Sequence, residues 1–111
     1  MKDIDDIVFK IKADFFKALA HPVRLQVIEY LKDGEASVGK LAQELGVEQS
    51  SLSRHLAVLR DLGVLEARQE KKSVYYTLHD HDIFKVLRPI AELLRKKLRH
   101  SEKILESLGK E

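Results

Sequence analysis

Between Ser37 and Gly63 two short amphipathic segments meet at a single glycine, and that spacing leaves few folds open. Ala42 stands four positions before Gly46, and Leu52 six positions after it. A small residue lets a second helix approach closely, a glycine can take the left-handed conformation that ends a first helix, and a leucine anchors the second helix to a core. The pattern reads as two helices crossing at a steep turn, a helix-turn-helix over about residues 37–62.

The flanking residues extend this frame in both directions. Ile4, Ile7, Val8, Ile11, Phe15 and Leu19 recur at steps of three and four, which predicts a first helix over 4–19 with one apolar stripe. Pro22 suits the first turn of a second helix, where its missing N–H has no partner to lose. Leu25, Ile28 and Leu31 are its expected buried face, and Asp33-Gly34 its stop. Ser37 caps a third helix, Gly46 closes it, and Glu48 begins a fourth with Leu52, Leu56 and Leu59 turned inward. After Gly63 the period changes: residues 64–69 and 73–78 are β-branched and aromatic, separated by Glu70-Lys71-Lys72, which predicts a two-stranded hairpin over about 64–78. From 82 to 108, Ile83, Leu87, Ile90, Leu94, Leu98, Leu105 and Leu108 return to helical steps, with Pro89 expected to bend or split the run. The expected fold class is α+β and mostly helical: one winged helix-turn-helix domain over 1–111, with terminal helices at each end.

Composition narrows the function. A chain of 111 residues, 44% apolar and 34% charged, fits one soluble domain. No stretch approaches the roughly 20 apolar residues of a membrane span. The acidic start of the chain lacks an export signal's apolar core, so a cytoplasmic location is expected. With no cysteine, disulfides, thiolate metal sites and thiol redox switches are excluded. There is no Gly-rich phosphate loop, no nucleophile in a recognisable setting and no HExxH pair, so neither catalytic residues nor a cofactor are expected. His79, Asp80, His81 and Asp82 are consecutive and cannot all converge on one ion, and Asp80 or Asp82 suits a helix cap; no metal site is expected there.

The fourth helix is the candidate reader of DNA. Opposite its leucines lie Ser50, Arg54, Ala57 and Asp61, flanked by Ser51 and Ser53, with Gln49 at the open N-terminal turn. Small hydroxyls let a helix lie deep in the major groove, and Gln and Arg supply paired hydrogen bonds that match adenine and guanine edges. The alternative for Ser and Gln here is plain helix capping. His55 falls on the flank beside the leucines, where packing or backbone bonding is the expected role. In the hairpin, Arg68, Lys71 and Lys72 can reach phosphate as point charges.

Charge alone does not announce DNA. The formal net charge is +2, and residues 37–78 hold six Lys/Arg against five acids. A more basic run, seven Lys/Arg against two acids from Lys85 to Lys103, reads as the solvated face of a long helix. A winged helix that mediates protein assembly and no longer reads DNA is the rival reading. Ile7, Ile11, Leu94 and Leu98 belong to stripes too extensive for so small a domain to cover, which points to a homodimer. A two-fold dimer also reads two half-sites at once.

Taken together, Phe16-Lys-Ala-Leu-Ala-His-Pro-Val-Arg24, Leu41-Ala42, Gln49-Ser-Ser-Leu-Ser-Arg-His-Leu56, Leu59-Arg-Asp-Leu-Gly63 and Tyr75-Tyr-Thr-Leu78 resemble the ArsR/SmtB family of winged-helix repressors. The resemblance implies a homodimer built from the first and last helices, and an operator read through the fourth. It places Gln49, Ser50, Ser53 and Arg54 at operator-contact positions. It also implies repression relieved by an effector, in that family mostly a metal or metalloid ion, with some thiol-based sensors. This chain departs from the pattern where sensing occurs. Ser37 and Gly39 stand at the family's cysteine positions, and Asp80 and Asp82 are matched by Leu93 and Lys96, which cannot complete a zinc site. Lys71 stands where the family often has glycine. The expectation is a repressor of an operon with a palindromic operator, its effector unidentified and the family's usual metal sites unused.

Overall fold

The computed structural model describes residues 2–98 and 102–109, leaving aside the side chains of residues 2 and 102–105. Its elements are α1 (Lys2–Leu19), α2 (Pro22–Tyr30), a 3-10 turn (Leu31–Asp33), β1 (Ala36–Ser37), α3 (Val38–Leu45), α4 (Gln49–Asp61), β2 (Leu65–Glu70), β3 (Ser73–Leu78), α5 (Ile83–Lys97) and α6 (Glu102–Gly109). They form two compact units, Met1–His79 and Asp80–Glu111. No helix among the described residues is long and apolar enough to cross a membrane.

In the first unit the ends around α2 and α3 follow from local chemistry. His21 is extended, and its ring Nδ1 accepts the Val23 N–H at 3.1 Å, so the imidazole caps α2 with Pro22 beside it. Ser37 caps α3 by accepting the Lys40 N–H at 3.1 Å. Gly46 ends α3 at φ 66° and ψ 36°, the left-handed conformation its position requires, and the Val47 N–H closes the turn on the Ala42 carbonyl. The core between these ends is aliphatic: Leu19, Val27, Ile28, Leu31, Leu41, Leu52, Leu56, Leu59, Val64, Leu65 and Leu78 are buried. Leu25 departs from expectation at 41% exposed. Val27, Ile28 and Leu31 cluster on one side of α2, and at about 100° per residue Leu25 sits roughly 110° from their centre.

The expected hairpin is present and carries a third strand. The sheet order is β1-β3-β2, all antiparallel, with Ser37 opposite Tyr75, Arg68 opposite the same Tyr75, and Glu70 opposite Ser73. Ser37 must be extended to cap α3, and that extended backbone is what pairs with β3. The hairpin turns through Lys71 and Lys72, with Lys71 at φ 56°.

In the second unit, the run expected over 82–108 is two helices, and Pro89 is not the break: α5 continues through it. Leu98 closes α5 with its N–H on the Leu94 carbonyl. Residues 99–101 and the Leu105 side chain, part of that expected run, lie outside the described residues. Asp82 stands at the N-cap without a side-chain cap bond, and Asp80 shapes the turn before it: its Oδ1 accepts the Asp82 N–H at 2.8 Å. Ile83, Phe84 and Ala91 are buried, and the Arg88 guanidinium lies 4.7 Å from the Phe84 ring centre.

Candidate nucleic-acid interface

The two faces of α4 separate cleanly. Leu52, Leu56 and Leu59 have no exposed surface, and Gln49, Ser50, Ser51, Ser53, Arg54, Ala57 and Asp61 are exposed. No carboxylate pairs with Arg54 among the described residues, so its forked donors are available to a ligand. One member of this face is absent from the sequence reading. Glu48 stands at the N-cap without capping the backbone, and its carboxylate accepts a hydrogen bond from the Ser50 hydroxyl. Ser50 points outward, so a carboxylate lies on the reading face at the helix tip. An acid two residues ahead of the first exposed serine was the available signal.

A junction of three side chains holds α4 to the preceding helices. The Arg24 Nε–H donates to His55 Nδ1 at 3.1 Å, Arg24 Nη1 donates to the Ala18 carbonyl at 2.8 Å, and the His21 and His55 rings lie 4.2 Å apart. An Nδ1 that accepts from a guanidinium carries no proton. Burial holds the His55 pKa below its ordinary value, and the nearby charges of His21, Arg24 and Arg54 push the same way. His55 is therefore an anchor on the flank of α4, as its position among the leucines predicts.

The sheet separates the three wing cations. Lys71 and Lys72 stand exposed at the turn, with no carboxylate paired to either among the described residues. Arg68 is committed elsewhere. Its Nε donates to Glu35 Oε2 at 3.0 Å, its Nη2 to Glu35 Oε1 at 2.5 Å and its Nη1 to Glu70 Oε1 at 3.1 Å, and the guanidinium lies 4.7 Å from the Tyr75 ring centre. The hydrogen bond from Arg68 holds the Glu35 carboxyl below its usual range, and the same bond raises Arg68. Sequence reasoning missed Glu35 because the pair is 33 positions apart and joins β2 to the residue just before β1.

The residues at the positions that the resemblance assigns to metal make contacts within the chain. The Ser37 hydroxyl is spent on the Lys40 N–H, Asp80 accepts the Asp82 N–H, and Asp82 faces Lys85 Nζ at 3.3 Å. Among the described residues no three His, Cys, Asp or Glu side chains are grouped to hold an ion.

Comparison with known proteins fits this geometry. Residues 21–67 match the family model described as bacterial regulatory protein, arsR family. The HTH-type transcriptional regulator Rv0081 of Mycobacterium tuberculosis is 38% identical over 102 residues, 91% of this chain and 90% of that protein. Its crystal structure aligns with a TM-score of 0.74 over 84% of this chain and 94% of that one. A homodimeric winged helix-turn-helix DNA-binding domain from Mycobacterium bovis, 28% identical, aligns with a TM-score of 0.76 over 91% of this chain and 94% of that one. The biofilm growth-associated repressor of Xylella fastidiosa is 46% identical over 66 residues, 60% of this chain and 58% of that protein. The chain belongs to the arsR family of bacterial regulatory proteins, and its winged helix is that of a DNA-binding transcription regulator.

Proposed function

We propose that this protein is a homodimeric repressor that reads a two-fold symmetric operator through α4, holds the flanking phosphates with Lys71 and Lys72, and does not use the family's usual metal positions. The observation that carries the reading is the outward face of α4, where Gln49, Ser50, Ser51, Ser53 and the unpaired Arg54 are all exposed. Two apolar surfaces support dimerisation. On α1, Ile7 and Ile11 are 57% and 62% exposed in the single chain, and on α5, Ile90, Leu93 and Leu94 are exposed, with Leu98 half-buried after them. The homodimeric relative from M. bovis and the repressor from X. fastidiosa point the same way. A dimer places two copies of α4 at half-sites roughly 34–36 Å apart, or a multiple of that. The near-neutral balance of each protomer makes this doubling the main source of affinity.

The test is selection of bound sequences from random duplex DNA by the purified protein, followed by Arg54→Ala on the enriched site. The variant loses about 1–3 kcal/mol on that site and little on random DNA, because a paired contact to guanine carries sequence information and a phosphate contact does not. Equal losses on both would place Arg54 on phosphate, and failure to enrich any sequence would favour the protein-assembly reading.

A further inference from the structure

The base of the wing hairpin is anchored, with Leu65 and Leu78 buried and the Val64 N–H on the Leu59 carbonyl at 2.9 Å, but its outer part meets the segment before α3 through little backbone. Only two residue pairs, Ala36 with Tyr76 and Ser37 with Tyr75, connect it to the segment that leads into α3. A side-chain bridge reinforces that joint. Arg68 on β2, Tyr75 on β3 and Ser37 on β1 form one cross-strand row, and Glu35 precedes Ser37 by two residues. The Arg68 side chain passes over the Tyr75 ring and meets the Glu35 carboxylate with two nitrogens, the two side chains together spanning about two strand spacings. Its third nitrogen holds Glu70, the last strand residue before the Lys71-Lys72 turn.

We infer that Glu35 and Arg68 are positioning residues for DNA binding: together they form a latch that aims the wing, and Arg68 acts through Glu35 and not by touching phosphate. The inference rests on the DNA-reading role proposed above for the wing lysines. A bidentate guanidinium-carboxylate pair fixes direction as well as distance, and the stacked tyrosine restricts the guanidinium plane. The hydrogen bond from Arg68 holds the Glu35 carboxyl below its usual range, which favours the ionised, paired form at neutral pH. Both side chains are partly open to solvent, and such a pair adds little to global stability. Its effect therefore falls on the geometry of the joint.

Removing Glu35 separates this latch from a plain charge effect by sign. Glu35→Gln deletes a negative charge from a DNA-binding surface, and charge alone then predicts tighter binding with a steeper salt dependence. The latch predicts the reverse. On the selected operator, Glu35→Gln and Arg68→Gln each weaken binding by a similar factor, roughly threefold or more, and the double variant is no worse than either. The log–log salt slope falls in Glu35→Gln toward that of the Lys71→Ala/Lys72→Ala protein, and adding those two changes to Glu35→Gln lowers it no further. The exchanged pair Glu35→Arg/Arg68→Glu recovers part of the affinity. Thermal midpoints report stability separately, and a merely structural pair would lower them without coupling to the lysines. Tighter or unchanged binding by Glu35→Gln, together with a slope loss of about one per protomer in Arg68→Gln, would mean that Arg68 touches phosphate directly and would overturn the latch. If Lys71→Ala/Lys72→Ala leaves the slope of the otherwise unaltered protein unchanged, the wing is outside the interface and the underlying reading of the wing fails first.

Discussion

Lys71 occupies a backbone conformation that glycine adopts freely and lysine does not. Its φ of 56° is the one positive value at a non-glycine position among the described residues, at the first position of a two-residue hairpin turn. A left-handed backbone costs an L-residue roughly 1–2 kcal/mol. Glycine escapes that cost but gains freedom in the unfolded chain, which returns about 0.4–1 kcal/mol. Lys71→Gly is therefore expected to stabilise the fold by about 0.5–1 kcal/mol, a rise in the thermal midpoint of about 2–6 °C for a domain near this size. The same substitution removes one cation from each wing. The protein becomes more stable and binds DNA less well, with a salt slope shallower by about one unit per protomer. Lys71→Ala is the control, because it loses the same charge and keeps the backbone strain. Thermal unfolding followed by circular dichroism at one fixed protein concentration compares all three, since a dimer's midpoint depends on concentration. A Lys71→Gly protein no more stable than Lys71→Ala would refute the strain argument. Unchanged DNA affinity and salt slope in both would remove Lys71 from the interface.

Three other outcomes follow from the structure. Because burial and neighbouring charge hold His55 below its ordinary pKa of 6.5, the unfolded chain takes up that proton at a higher pH than the folded one. Its contribution is thus complete above about pH 6.5 and is lost as pH falls through the folded-state value; His55→Asn, which keeps an acceptor for Arg24, should show a smaller drop in urea midpoint between about pH 7.5 and about pH 5. Ile7→Asp and Leu94→Asp each place an unpaired charge in the proposed dimer interface, at a cost of several kcal/mol, so sedimentation should report monomer and operator affinity should collapse; a persisting dimer with normal affinity would move that interface elsewhere. Operator binding, followed by fluorescence anisotropy, should change less than about twofold with micromolar zinc, cobalt, nickel or arsenite, and a tenfold weakening by zinc that His81→Ala abolishes would return the chain to the metal sensors.

What the sequence disclosed was whatever repeats at short range. The faces of α4, the left-handed Gly46, the Ser37 cap and the hairpin strands all depend on residues within a few positions of one another, where periodicity and turn chemistry act directly. The two residues of β1 are too few for any period to register, and they pair only because the α3 cap demands an extended backbone. Leu25 misled because a step of three from Leu25 to Ile28 looks helical whichever way the helix is turned, and Val27 decides the turn. Whether Pro89 bends or splits the run stayed open in the sequence, since a proline removes a donor but does not by itself stop a helix already underway, and α5 runs on to Lys97. The ion pair of Arg68 was not legible, because Glu35 lies on a distant segment that only the sheet brings near.

The distribution of charge gives the proposed reading its internal logic. Along the outward face of α4, Arg54 stands between Glu48 at the N-terminal tip and Asp61 at the last turn, and with Arg60 exposed on the flank the helix that would enter the groove carries as much negative as positive charge. Such a balanced face gains little net attraction from phosphate, whereas a carboxylate can accept from the exocyclic amine of cytosine and Arg54 can engage guanine. Attraction to the backbone then has to come from outside the helix, and the wing lysines are the cations placed to supply it. Dividing the labour this way keeps affinity for random DNA low and makes binding depend on a correct match at α4 and a correctly aimed wing together. A freely swinging wing would supply attraction at any register. In the proposed latch, the bridge from Arg68 to Glu35 adds to the buried base of the hairpin in confining it to one.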